Sequence, residues 1–201
     1  SQSTTMLKGV LAKFDPHIPA EASLVQRLAA MIGASQDAQV IRPLLQDAVK
    51  PADSEKSGWK APLLEGLAAG LGSRKTVPVA LQSEQALLIT ACLRHPAVAE
   101  RESARHILQV VGLPAGVQGR EAMRQARLLA ADDTLASEKR AEAIHLLAMQ
   151  DPASRALFLE SLVTPNTPLT VQVAAIEALG AIPDKTVSSF ALKNWTMLTP
   201  D

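Results

Sequence analysis

Tyrosine does not occur in this chain of 201 residues, and aromatic side chains make up only 2% of it. Strands favour aromatic and β-branched residues, so the shortage argues against a β-rich core. Hydrophobic residues still reach 47%, led by Ala and Leu, which suit close-packed helices. A single cysteine, Cys92, rules out an internal disulfide and a zinc site built on paired thiolates. It lies within Leu87-Leu88-Ile89-Thr90-Ala91-Cys92-Leu93 and reads as a small buried helix residue. Net charge is also missing: twenty basic residues balance twenty acidic ones, leaving no overall field to steer the chain to nucleic acid or an anionic membrane. Apolar runs fall far short of the roughly 20 residues a membrane span needs. Lys8, Lys13 and Asp15 interrupt the modest hydrophobicity of Val10-Leu11-Ala12, so no targeting segment is readable and no membrane insertion is expected.

Recognisable reaction chemistry is equally scarce. The four histidines, His17, His95, His106 and His145, form no His-Glu-x-x-His pair and no pair four residues apart that would put two metal ligands on one helix face. No Gly-x-Ser-x-Gly elbow occurs, and Cys92 has no activating partner nearby in sequence. Gly66, Gly70 and Gly72 lack the order and the preceding strand of a phosphate loop, and read instead as helix packing followed by a helix stop. Asp132-Asp133, between two helical patterns, reads as a solvated turn. The expectation is a chain that is not an enzyme, with no catalytic, cofactor-binding or metal-binding residues and no cofactor.

What the sequence does contain is repetition. A shift of 32 residues superimposes Thr167-Pro168 on Thr199-Pro200, Ala143 on Ala175, Ile144 on Ile176, Leu147 on Leu179 and Phe158 on Phe190. Ala141, Ile144, Leu147 and Ala148 recur at three- and four-residue steps, as do Val171, Ala174, Ala175, Ala178 and Leu179, so each set lines one helical face. Asp151-Pro152 and Thr167-Pro168 each place a capping side chain before a proline suited to a first helical turn, and Gly180 followed by Pro183 is the matching stop. The pattern predicts helices over 138–149, 153–163, 168–180 and 184–194, and less regular ones over 20–33, 38–48, 60–71, 83–94, 97–111 and 120–131. Lys50 to Gly58 is polar and reads as an exposed loop. A helix pair with one apolar face buries it only by stacking on the next pair, so the expected fold is all-α, an α-solenoid of helix pairs forming a single repeat domain over 1–201.

Val171-Gln172-Val173-Ala174-Ala175-Ile176-Glu177-Ala178-Leu179-Gly180 resembles the second helix of a HEAT repeat, and Arg140 to Ala148 is a weaker copy. That family commonly carries a basic residue directly after the Val; here the place is held by Gln172. Arg27-Leu28-Ala29-Ala30-Met31-Ile32-Gly33-Ala34, then Trp59 with Pro62-Leu63-Leu64-Glu65-Gly66-Leu67-Ala68, then the repeats and Trp195, are similar to the HEAT-repeat region of large bacterial proteins. Those combine a sugar-dehydrogenase-like β-propeller, helical repeats and a c-type cytochrome, and are generally exported. The resemblance implies an exported or periplasmic setting, against a cytoplasmic alternative, and a multidomain parent of which this chain is a piece. Neither a propeller nor a Cys-x-x-Cys-His motif lies in this sequence, so redox chemistry would belong to neighbouring domains.

Arg101, Arg105, Arg120, Arg124 and Arg127, with Arg94, include pairs four apart that share a helix face, a candidate interaction surface for phosphate or carboxylate. Glu100, Glu102 and Glu121 interleave with them, so the first reading is a non-catalytic scaffold for protein or interdomain contacts and the alternative a nucleic-acid-binding HEAT module. Trp59 and Trp195, each flanking a helix, read as docked between repeats rather than as binding anchors. Ile176 is expected on the buried repeat seam with Ala175, and Gln172 is expected to matter little. Thr199-Pro200 announces a further helix, so weak self-association through an uncovered C-terminal face is expected.

Overall fold

A computed structural model of the chain describes residues 2–50, 57–73, 81–182 and 190. Among these residues there are ten α-helices and no strand, and the helices cover more than half of the chain. The expected helix over 184–194, Trp195, Thr199-Pro200 and most of the Lys50–Gly58 loop lie outside the described residues. The chain divides into two compact units, Ser1–Pro114 and Ala115–Asp201.

The first unit holds α1 (Gln2–Leu11), α2 (Pro19–Ser35), α3 (Ala38–Ala48), α4 (Lys60–Gly72), α5 (Gln82–Arg94) and α6 (Val98–Val111). α4 lies between α2 and α6, while α3 and α5 touch each other only lightly. The sequence of α4 explains its central place: Leu63, Leu64, Gly66, Leu67, Ala68, Gly70 and Leu71 are all buried, so the helix is apolar nearly all round. Each fully buried leucine contributes about 1.5–3 kcal/mol. The contact with α2 is made close by glycines on both sides. A Cβ on Gly66 would run into the Gln26 carbonyl oxygen and lie 2.7 Å from Ala29 Cβ; one on Gly70 would run into the Ala30 carbonyl oxygen and lie 2.8 Å from Ala34 N. From the other side, a Cβ on Gly33 would sit 2.7 Å from the Leu67 carbonyl oxygen. Gly66 and Gly70 thus act as packing residues, as expected from the sequence.

The second unit holds α7 (Val117–Ala131), α8 (Ser137–Leu147), α9 (Pro152–Ser161) and α10 (Leu169–Gly180). α8 packs against both α7 and α10, and buries Ala141, Ala143, Ile144, Leu146 and Leu147. α10 packs on α8 and α9 and buries Val171, Ala174, Ala175, Ala178 and Leu179, the face predicted from its periodicity. Ile176 corrects an expectation: it is half-buried, whereas its partner one period earlier, Ile144, is fully buried. The start of α10 also differs in detail. Pro168 occupies the N-cap with no side-chain bond, and the Thr167 hydroxyl instead meets that of Thr164 at 2.9 Å. Asp151 caps α9 as predicted, accepting the Ser154 N–H at 3.3 Å.

The last carbonyls of a helix have no intrahelical donor, and in this chain side chains from the following helix reach back to them or to carbonyls of the connecting turn. Arg101, the fourth residue of α6, donates Nη1–H to the carbonyls of His95 at 2.7 Å and Pro96 at 2.9 Å. Arg140, fourth in α8, donates Nε–H to Ala130 at 3.0 Å. Arg155, fourth in α9, donates to Ala148 and, at 2.7 Å, to Gln150. Gln172, fourth in α10, donates Nε2–H to Thr164 at 2.9 Å and Thr167 at 2.7 Å. All four side chains are buried. Gln172 is therefore a second correction: far from idle, it ties α10 to the turn before it, doing with a neutral amide what three arginines do elsewhere. Lys60 at the head of α4 reaches back to the Lys50 carbonyl in the same sense. Burial lowers the Lys60 pKa, against the raising influence of Glu100 and Asp47.

Candidate functional site

The arginines singled out from sequence have unlike environments. Arg101 is only 8% exposed and its guanidinium serves the α5–α6 joint, so it offers no charge to a ligand. Arg105, half-buried, places Nη2 3.3 Å from His106 Nε2, and His106 in turn contacts Glu65 at 2.8 Å. In the second unit Arg120 is exposed, and Arg124 grips Glu121 with two bonds, of 2.8 and 2.7 Å. These bonds hold the Glu121 carboxyl down at about 2 and raise the Arg124 guanidinium. Arg127 donates to Gln150 at 3.1 Å and to the Ser154 carbonyl, and lies 5.6 Å from the Phe158 ring centroid. Of the set on α7, Arg120 alone keeps its charge unengaged by a described side chain. The α7 face that carries Arg120 and Arg124 ends in Val117 and Leu128, exposed at 72% and 57%.

Among the described residues no three His, Cys, Asp or Glu side chains gather closely enough to hold a metal ion, and no helix is long and apolar enough to cross a membrane. Cys92 is buried, as its sequence context predicts. Asp132 and Asp133 are exposed in the α7–α8 turn, where Asp132 Oδ1 accepts the Thr134 N–H at 3.0 Å and its hydroxyl at 2.6 Å. Trp59 is half-buried at the head of α4, its ring centroid 6.0 Å from the Lys60 ammonium.

The feature with the geometry of a binding site is one that sequence reasoning did not find. Where α3 ends beside the second half of α5, an open groove of about 380 Å³ is lined by Gln46, Val49, Lys50, Leu87, Thr90, Ala91, Arg94 and His95. Leu87, Thr90, Ala91 and Arg94 recur at helical spacing and so share one face of α5. The lining is almost wholly apolar, and Leu87 remains 42% exposed. Lys50 and Arg94 are both exposed; the Lys50 ammonium meets Asp47 at 2.9 Å, while Arg94 makes no ion pair among the described residues.

His95 stands in the wall of this groove for a local backbone reason. It precedes Pro96, which disfavours helical geometry, and it ends α5 in an extended conformation (φ −62°, ψ 136°). Its Nδ1 accepts the Ala97 N–H at 3.3 Å, which puts the proton of the neutral ring on Nε2. That Nε2 is buried with no hydrogen-bond partner among the described residues. In sequence the signal was available only as a histidine at the end of a helix before proline; the spacing of Val49 and Leu87 across two helices was not. No known protein family, curated protein or solved structure matches the chain.

Proposed function

We infer that this chain is a HEAT-like α-solenoid segment working as a non-catalytic scaffold, whose task is to hold a partner protein or neighbouring domains at a set geometry. The observation that carries this reading is the repeated joint: in α6, α8, α9 and α10, though not in α7, where Arg120 is exposed, the fourth residue reaches back to carbonyls in the last turn of the preceding helix or in the turn that follows it. A unit that solves the same packing problem the same way at successive joints is what a repeat array consists of. The period of 32 that relates α8 to α10, and the apposition of His145 and Glu177 across them at 3.7 Å, support the same reading. So do exposed apolar residues such as Leu157, at 80%, and Leu169, at 65%, which offer adhesive rather than reactive surface. The likeness to the helical region of exported propeller–cytochrome proteins, which rests on sequence alone, would make the held partners redox domains.

Cross-linking of the full chain in an extract of its source cells tests the scaffold reading. We expect a protein partner that survives a high-salt wash. Turnover by the purified chain alone would overturn the reading in favour of an enzyme. Duplex DNA binding at physiological salt that is abolished in Arg120→Ala/Arg124→Ala would overturn it in favour of a nucleic-acid module.

A further inference from the structure

We draw no further inference here: the strongest candidate, the apolar groove between the end of α3 and the second half of α5, carries nothing because nothing in the structure shows what covers it.

Discussion

Replacing Gly70 by alanine sets two sizeable effects against each other. Within a helix interior Ala is favoured over Gly by ~1 kcal/mol, so with nothing else in play the substitution would stabilise α4. Gly180 and Gly9 are such cases, since an added Cβ at either meets nothing within 4 Å. At Gly70 the new methyl group would run into the Ala30 carbonyl and sit 2.8 Å from Ala34 N. Both are backbone atoms of α2, so relief requires moving one helix against the other rather than turning a side chain. Overpacking of this kind costs typically ~1–3 kcal/mol, occasionally more, and the shift would also loosen Leu63, Leu67 and Leu71 in the same seam. The net expectation is destabilisation by roughly 1–2 kcal/mol, or about 5–10 °C in melting temperature for a unit of this size. Urea and thermal unfolding followed by far-ultraviolet circular dichroism would measure it, with Gly180→Ala as the control expected to be neutral or slightly stabilising. A Gly70→Ala protein as stable as wild type would refute the close α2–α4 approach.

Other outcomes follow from burial and bonding. Ile144→Asp should abolish cooperative folding of its unit by burying an unpaired carboxylate, whereas Ile176→Asp should cost much less, because half-buried Ile176 leaves a route to water; equal melting temperatures for the two would contradict the order of packing. Gln172→Ala should destabilise by about 1 kcal/mol through loss of its two carbonyl bonds, measurable by urea unfolding, and Gln172→Arg should restore the loss. Glu121 should titrate at about 2 by NMR and return towards 4.5 in Arg124→Ala. Because its folded value is depressed, the pair's contribution is present above the ordinary value and lost as pH falls towards 2, and a midpoint unchanged by Arg124→Ala would dismiss the pair.

Helix positions were legible in the sequence because apolar residues at three- and four-residue steps record which face is buried, and α8 and α10 bury the faces so marked, except that Ala148 is half-buried. The first helix escaped notice. α1 carries Ser3, Thr4, Thr5 and Gly9, poor helix formers, and buries only Leu7, so its periodicity is thin. The groove escaped for a different reason. Its floor joins Val49 to Leu87 and Ala91, far apart in sequence, and nothing in either helix alone announces that the ends of α3 and α5 leave space between them. Surface concavity depends on how helices splay, which local patterns do not encode.

The arginines show how a correct inference about residue type can miss residue role. In sequence, Arg101 and Arg105 look alike: four apart, on one face, among glutamates. Arg101 nevertheless sits one turn into α6, within reach of the carbonyls that α5 cannot satisfy, and that position decides its fate. A carbonyl at a helix end carries partial negative charge, so a long donor on the next helix finds a partner without needing a carboxylate, and it can be buried without being left unpaired. Arg140 and Arg155 occupy the same place, and Gln172 shows that the requirement is a long donor rather than a positive charge. Distance from the helix start does not by itself separate the two outcomes, because Arg120 is also fourth in its helix, α7, and faces solvent; what differs is whether the preceding turn brings carbonyls within reach. Arg94, the last residue of α5, is likewise exposed, at the rim of the α3–α5 groove.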